Sequence, residues 1–203
     1  LKLELRLVAD IGLVGVPNAG KSTLLNSITN AKPKIANYPF TTIVPNLGVC
    51  QVRGGAKEGG AAMIIADIPG LIEGAHHGIG LGRGFLRHVE RCKIIIHIVD
   101  ANCNDPIGNF RAINNELKLF SPTLASKPQI VVLNKIDVPE VEGTLARLEE
   151  ELKKEMAHTR LLKISAAAQM GTQELVERCY GFLQKVNRDL DAKITTDDEN
   201  HEK

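Results

Sequence analysis

The sequence predicts one α/β domain with a mostly parallel sheet covered by helices on both faces. Two observations support this class. From Ile94 onward, short continuous apolar runs alternate with segments of helical length, which is typical of parallel strands joined by helices. The apolar run 11–14 is followed by a glycine-rich turn and a helical segment, so the same order begins near the start of the chain. The 203 residues suffice for one such domain with its own core.

Composition narrows the classes of protein. The net charge of +1 gives no bulk reason to expect nucleic acid or an acidic membrane as the main ligand. The four cysteines include no C-x-x-C pair, which favours reduced thiols in a reducing compartment. No apolar run reaches the roughly 20 residues of a membrane span, and no signal-peptide pattern is visible. The first residue is Leu rather than Met, so we expect a piece of a longer chain.

The first half of the chain is expected to hold strands and two long loops. Residues 1–7 alternate apolar and charged side chains, which indicates that the segment 1–8 is an edge strand or a linker from a missing N-terminal domain. Residues 31–42 contain two prolines and no periodicity, so they are predicted to form a functional loop. The apolar runs 47–53 and 62–67 flank a glycine-rich turn and are predicted to pair antiparallel. The six glycines within 70–84 predict a mobile loop.

The second half is expected to alternate strands and helices up to an acidic tail. Residues 189–203 are acidic and polar with few apolar side chains, so we expect a disordered tail. The folded domain would then span residues 9–188. The predicted strands are 94–99, 130–133 and 161–164, and the predicted helices are 85–91, 109–120, 141–156 and 172–186.

The stretch Gly15–Ser22 has the spacing G-x-x-x-x-G-K-S of a phosphate-binding loop. Its glycines let the backbone curl, so that successive N–H groups and the following helix N-terminus point at one anion. Lys21 would reach the β- and γ-phosphates of a nucleotide, and Ser22 would ligate Mg²⁺. The predicted phosphate-binding residues are Gly15, Val16, Pro17, Asn18, Ala19, Gly20, Lys21, Ser22 and Thr23.

The segment Asp67-Ile68-Pro69-Gly70 closes an apolar strand. An aspartate at that strand end can hold Mg²⁺ through water, while Gly70 offers its N–H to the γ-phosphate. Taken alone this pattern is weak, because Asp and Gly are ordinary turn residues.

The segment Asn134-Lys135-Ile136-Asp137 ends a later buried strand. The carboxylate of Asp137 can accept two N–H bonds from a guanine edge, a pair that adenine cannot offer. Asn134 would tie this loop to the phosphate loop, and the stem of Lys135 would cover one face of the base. Backbone N–H groups of Ser165, Ala166 and Ala167 would complete the pocket. The alternative for Leu-Asn-Lys is a strand that simply ends in a polar turn.

In this order the motifs resemble those of Ras-like GTPases, and three segments are similar to signatures of the Obg subfamily: residues 37–48, 67–75 and 80–91. The resemblance covers about residues 8–188. It implies an α/β, Ras-like P-loop GTPase fold with a six-stranded, mostly parallel sheet. Members of this family are GTPases associated with the large ribosomal subunit and its assembly, in bacteria and in organelles. The family's glycine-rich N-terminal domain, which contacts the ribosome, is absent here, so the sequence resembles the G domain alone.

The resemblance also implies the metal and catalytic residues. Ser22 and Thr42 are similar to the Mg²⁺ ligands, with Asp67 acting through water, and Thr42 would close over the γ-phosphate only in the GTP state. Thr41 is the neighbouring candidate. The implied catalytic residues are Lys21, Thr42 and Gly70. Further nucleotide contacts are expected from Phe40, Ile43 and Val44.

The group that assists hydrolysis is left open, because Leu71 stands where Ras-like enzymes carry the Gln that orients water. Glu73, His76 and His77 lie nearby, but a solvated mobile segment is the alternative reading. A zinc site from the two histidines is disfavoured, since adjacent residues rarely face one metal. Asn18 could instead hold K⁺ beside the phosphates, or merely stabilise its loop through backbone hydrogen bonds.

The hypothesis is therefore a Mg²⁺-dependent GTP-binding and GTP-hydrolysing switch with slow turnover, acting in large ribosomal subunit assembly or ribosome-linked regulation. The alternative is a nucleotide-dependent ribosome-binding module with hydrolysis only as a timer. A small-molecule phosphotransferase is a third reading, weakened because no acceptor pocket or lid segment is visible. Expected partners are GTP, GDP and the large ribosomal subunit, mainly through the missing domain. The expected compartment is the cytoplasm or a plastid or mitochondrial matrix.

Overall fold

The computed structural model describes residues 9–29, 34–35, 46–52, 61–67 and 89–201, with side chains except at 34–35 and 193–201. Several sequence predictions lie outside these residues. They concern the linker 1–8, the loop candidates Phe40, Thr41, Thr42, Ile43 and Val44, the segment Ile68, Pro69 and Gly70, and the hydrolysis candidates Glu73, His76 and His77.

The described residues form seven strands in one sheet of order β2-β3-β4-β1-β5-β6-β7. Strands β4, β1, β5, β6 and β7 run parallel, whereas β3 is antiparallel to both β2 and β4. The antiparallel pair predicted at 47–53 and 62–67 is thus confirmed. The bounds are β1 Ile11–Val14, β2 Lys34–Ile35, β3 Asn46–Gln51, β4 Ala62–Asp67, β5 Ile94–Asp100, β6 Gln129–Asn134 and β7 Leu161–Lys163.

All six predicted strands are present, and the seventh corrects one prediction. The segment 31–42 was expected to be loop throughout, but Lys34–Ile35 pairs with the edge strand β3. Two residues are too few to show an alternating side-chain pattern, and their pairing depends on backbone hydrogen bonds. The sequence signal for such a strand is therefore absent.

Helices cover the sheet, and proline begins three of those described. Proline suits the first turn of a helix because its missing N–H needs no partner there. Asp105 caps the longest of the three by accepting a hydrogen bond from Gly108 N at 2.8 Å. Residues 89–91 are also helical. The bounds are α1 Lys21–Ile28, α2 Pro106–Phe120, α3 Pro122–Ala125, α4 Pro139–Glu142, α5 Leu145–Glu155 and α6 Thr172–His201.

Two helix predictions need correction. The helix expected over 141–156 is interrupted at Gly143 and Thr144, which separate α4 from α5. The tail expected to be disordered from residue 189 is helical up to His201. This segment contains neither Gly nor Pro, and once a packed helix exists each further residue adds a backbone hydrogen bond. Low apolar content alone was therefore a poor guide to disorder here.

The core lies on both faces of the central strands. Every residue of β1 and β5 is buried, as expected for continuous apolar strands in the middle of a parallel sheet. Leu24 of α1 packs with Leu175 of α6 in one cluster. Ile113 and Leu117 of α2 belong to a separate cluster. The prediction of helices on both faces is confirmed.

None of the four cysteines forms a disulfide, and three of them are buried. Burial raises the pKa of the Cys50 thiol to about 11 and that of Cys92 to about 12, so both stay protonated thiols at neutral pH. Within the described residues, no helix combines the length and the apolar composition that crossing a membrane requires.

Candidate functional site

The predicted motifs meet at one edge of the sheet. The carboxyl ends of neighbouring parallel strands lie side by side, and ligands of open α/β sheets bind outside such ends. Leu13 in β1 is paired with Asp67 at the end of β4, and Asp100 at the end of β5 is paired with Asn134 at the end of β6. The phosphate loop, which follows β1, therefore stands between these strand ends.

The phosphate loop is shaped by two glycines with no room for a side chain. Gly15 has φ 154° and Gly20 has φ 98°. A Cβ atom on Gly15 would lie 2.4 Å from the carbonyl oxygen of Ile98, and one on Gly20 would lie 2.3 Å from Asn134 Nδ2. Both positions thus combine a left-handed backbone with a close approach to another segment, which only glycine allows without strain.

Lys21 and the helix that it begins face the inside of this loop. Its Nζ donates hydrogen bonds to the carbonyl oxygens of Gly15 at 2.9 Å and Val16 at 3.0 Å. Helix α1 has no side-chain cap and no acidic residue in its first turn. An uncapped helix N-terminus with a lysine beside it favours an anion. Within the same stretch Pro17 and Thr23 are exposed, and Ala19 is buried.

Ser22 and Asp67 form a pair of oxygen ligands suited to a hard cation. Ser22 Oγ donates to Asp67 Oδ2 at 2.5 Å. Asp67 is 1% exposed, and its other oxygen, Oδ1, has no hydrogen-bond partner among the described residues. A buried carboxylate oxygen without a partner is costly, and Mg²⁺ prefers oxygen ligands of this kind. The pair therefore fits the Mg²⁺ ion predicted from the sequence.

Asn134 joins the phosphate loop to the loop after β7. Its Nδ2 donates to the carbonyl oxygen of Ala19 at 2.8 Å, and its Oδ1 accepts from the backbone N of Ala166 at 3.0 Å. The side chain is buried, with 2% exposure. The predicted contact between Asn134 and the phosphate loop is present. The contact to Ala166 brings the segment 165–167 into the same site.

The base side of the site is formed by the residues after Asn134. Asp137 is exposed, and its carboxylate has no hydrogen bond or ion pair with the described part of the chain. Ile136 N donates to the carbonyl oxygen of Ile164 at 3.3 Å, which fixes the loop against the end of β7. Ser165 is buried and its Oγ accepts from Ala168 N at 2.9 Å, whereas Ala167 is exposed.

One residue of this site was missed by sequence reasoning. Asp100, at the end of β5, accepts from Lys135 Nζ at 2.6 Å. An aspartate after an apolar strand looks like an ordinary turn residue, so it gave no signal alone. Its position could have indicated the contact. Asp100 and the Asn134–Lys135 pair end two consecutive buried strands, and the carboxyl ends of neighbouring parallel strands lie close together.

Besides the Mg²⁺ pair, two further kinds of metal site can be examined in the described residues: a cluster of His, Cys, Asp or Glu side chains, and the K⁺ site predicted at Asn18. In the described ranges no group of three or more His, Cys, Asp or Glu side chains could hold a metal ion. Asn18, the candidate K⁺ ligand, is exposed with φ 61°, and its side chain makes no hydrogen bond to the described residues. The alternative in which Asn18 stabilises its loop through such bonds finds no support there.

Comparison with known families agrees with this geometry. The family described as "50S ribosome-binding GTPase" matches residues 10–135. The chain belongs to this GTPase family. It is 52% identical over 189 residues to the GTPase Obg of Roseiflexus castenholzii, covering 92% of this chain and 41% of that protein. It is 51% identical over 185 residues to a probable chloroplastic GTP-binding protein, OBGC1, of Oryza sativa subsp. indica, covering 91% of this chain and 24% of that protein. The resemblance to Obg proteins is confirmed.

Solved GTPase structures share the fold. A crystal structure of Aquifex aeolicus Era bound to GDP and AlF4⁻ aligns with a TM-score of 0.62 at 30% identity, covering 87% of this chain and 56% of that one. The cytosolic domain of L. pneumophila FeoB aligns with a TM-score of 0.61 at 21% identity, covering 85% of this chain and 62% of that one. The predicted P-loop GTPase fold is confirmed. The chain spans about two fifths of the bacterial Obg relative.

Proposed function

We propose that this chain is the nucleotide-binding part of an Obg-type switch, which binds GTP and GDP with Mg²⁺ and hydrolyses GTP slowly. The observation that carries the proposal is the position of Asn134. Its two hydrogen bonds, to Ala19 and Ala166, join the phosphate loop and the two base loops into one site. Asp137 is left exposed beside them, where a purine would enter.

On the phosphate side the chain supplies charge and orientation. The ammonium of Lys21 and the N–H groups of the loop would compensate the charge of the β- and γ-phosphates. Ser22 and Asp67 would hold Mg²⁺, Asp67 through a water molecule. When bound, Mg²⁺ supplies positive charge against the phosphate oxygens during transfer. The Lys21 hydrogen bonds to Gly15 and Val16 keep its ammonium over the loop until an anion competes for it.

The switch itself is proposed to depend on residues around the γ-phosphate. Thr42, with Thr41 as its neighbour, would complete the Mg²⁺ site only when GTP is bound, and Gly70 would donate its N–H to the γ-phosphate. Asn18 is proposed to hold K⁺ beside the phosphates, since its exposed side chain is not engaged by the described residues. A cation there would put positive charge where an arginine finger does.

The wider role follows from the relatives. The matching family is described as ribosome-binding, and the relatives include bacterial GTPase Obg and a chloroplastic protein. We propose action in assembly or regulation of the large ribosomal subunit, in a bacterial cytoplasm or an organelle matrix. Turnover with the isolated subunit separates the readings: stimulation supports a triggered enzyme, while GTP-dependent binding without stimulation supports a binding module.

Base choice is the direct test of the proposed function. The chain should bind GDP and GTP, and ADP and ATP should fail to displace mant-GDP from it. Asp137→Asn should lose roughly a hundredfold in affinity for GDP and gain affinity for XDP, because an amide presents a donor to the guanine N–H groups. Competition of each nucleotide against mant-GDP measures both.

The matched control is Glu140→Gln, which removes an exposed carboxylate three positions away. It should leave both affinities unchanged. Parent protein that binds ATP as well as GTP, or an Asp137→Asn variant that keeps full GDP affinity, would contradict the assignment of the base pocket.

A further inference from the structure

Lys135 is held by a carboxylate from outside its own loop. Its Nζ lies 2.6 Å from Oδ2 of Asp100, which ends the neighbouring strand β5. The side chain of Asp100 is 10% exposed and that of Lys135 is 33% exposed. The ion pair is therefore partly shielded from water, where it is worth more than a pair on the open surface.

Asp100 is fixed independently of the lysine. Its Oδ1 accepts from the backbone N of Asn102 at 2.9 Å, and its carbonyl oxygen accepts from Cys103 Sγ at 3.2 Å. The next backbone N, of Ala101, donates to the carbonyl oxygen of Asn134 at 3.0 Å. Because the carboxylate of Asp100 is fixed at the end of its own strand, the ion pair determines the position of the Lys135 ammonium rather than that of the carboxylate.

The backbone around Lys135 is also fixed. Lys135 adopts φ 68°, a left-handed conformation that costs a non-glycine residue energy. Asn134 on one side is bonded to Ala19 and Ala166, and Ile136 on the other side is bonded to Ile164. With both neighbours fixed, the remaining freedom of Lys135 is in its side chain, and the Asp100 contact removes that freedom at the far end.

We propose that Asp100 is a positioning residue of the nucleotide site, a proposal that rests on the proposed GTP-binding function. By holding the ammonium of Lys135, Asp100 fixes the methylene stem in the path that covers one face of the guanine base. Asp137 reads the edge of the base, whereas the stem covers its face. Loss of Asp100 should therefore lower affinity without changing which base is chosen.

The test is the dissociation constant of mant-GDP with Mg²⁺ for Asp100→Asn. Asparagine keeps the shape and the acceptor for Asn102 N but removes the charge. We expect binding to weaken about tenfold, the scale of one charge-assisted hydrogen bond, with the preference for GDP over XDP retained. Glu149→Gln is the matched control, since Glu149 is bonded to Lys153 and Lys163, both at 2.7 Å, on helix α5 and strand β7. It should bind mant-GDP as the parent does.

A double-mutant cycle with Lys135→Met separates positioning from general support. Methionine keeps an apolar stem without the ammonium, so in that background Asp100→Asn has nothing left to release and should not weaken binding further. It should even restore part of the thermal stability, because Lys135→Met alone leaves a shielded carboxylate unpaired. If Asp100→Asn weakens binding by the same factor in both backgrounds, Asp100 acts through the backbone and the proposal is overturned.

Three further results distinguish failure of this proposal from failure of the proposed function. If Asp100→Asn does not fold, Lys135→Met alone decides, and mant-GDP binding equal to that of the parent overturns the proposal. Parent protein that fails to bind mant-GDP contradicts the proposed function itself. If the parent protein binds mant-GDP and the Asp100→Asn variant binds it with the same affinity, only the proposed role of Asp100 is contradicted.

Discussion

The base side and the phosphate side of the site differ in how completely the protein satisfies its own polar groups. On the base side, the amide of Asn134, the ammonium of Lys135 and the hydroxyl of Ser165 all have partners within the chain. On the phosphate side, Oδ1 of Asp67 is buried without a partner in the described residues, and Asn18 is exposed in a left-handed conformation. The base side is thus joined within the chain, and its exposed Asp137 carboxylate is left for the base. The phosphate side holds the ammonium of Lys21 on its own loop, but it leaves a buried carboxylate oxygen to be balanced by an ion.

The largest expected effect is from Lys21→Ala. Removing the ammonium takes away a charge-assisted contact to the phosphates, so affinity for both mant-GDP and mant-GTP should fall at least roughly a hundredfold. Because the ammonium also donates to the carbonyl oxygens of Gly15 and Val16, the midpoint of thermal unfolding without nucleotide should fall, but by much less than the loss in affinity. Lys118→Ala, at an exposed position on helix α2, is the control for loss of one positive charge. A Lys21→Ala variant that does not fold would break the contrast between the two sides.

Smaller effects are expected from Asp67→Asn, which should raise the stability of the nucleotide-free protein and lower its affinity for nucleotide. Neutralising the buried carboxylate should raise the unfolding midpoint of the nucleotide-free protein by a few degrees, or about 1 kcal/mol. The same change should weaken mant-GDP binding about tenfold with Mg²⁺ and much less with EDTA, because one cation ligand is weakened.

Asp10→Asn gives the matched contrast for stability. The Asp10 carboxylate is satisfied by Lys93 Nζ at 3.1 Å and Ile64 N at 3.0 Å. Its neutralisation should therefore lower the midpoint, since a paired carboxylate is lost rather than an unpaired one. Destabilisation by Asp67→Asn as well would mean that the unpaired oxygen of Asp67 has no energetic cost.

The smallest effect is expected from Asn18. GTP turnover at fixed ionic strength should be faster in KCl than in NaCl, by about tenfold or less, well below the gain from an arginine finger. Asn18→Gly should remove this difference; Gly is chosen because it accepts the φ of 61° found at this position, whereas Ala would be strained. Equal turnover of the parent in the two salts would exclude a K⁺ role and direct attention to Glu73, His76, His77 or a residue of a partner.

The parts of the fold that sequence predicted are those with a strong side-chain pattern. Strands β1 and β5 are buried at every residue, and their continuous apolar runs indicated this directly. Strand β2 and the extension of α6 to His201 have no such pattern, because backbone hydrogen bonds determine both. Periodicity cannot reveal elements that bury little apolar surface.

The site residues also divide into those that a sequence pattern predicted and those that it could not. The spacing of Gly15 to Ser22 and of Asn134 to Asp137 indicated the loops, because several residue types at fixed positions rarely coincide. Asp100 could not be found by spacing, since its partner Lys135 is 35 positions away and the pairing depends on two strands being neighbours in the sheet. Long-range ion pairs of this kind require the topology first.

The single amide of Asn134 also sets a condition on nucleotide exchange. It contacts Ala19 at 2.8 Å and Ala166 at 3.0 Å, so the loops for opposite ends of the nucleotide are connected through one side chain. Opening either loop far enough to release its end strains or breaks a bond that anchors the other. Release is therefore expected to be one concerted opening with a single slow rate, rather than independent fraying at the base and at the phosphates.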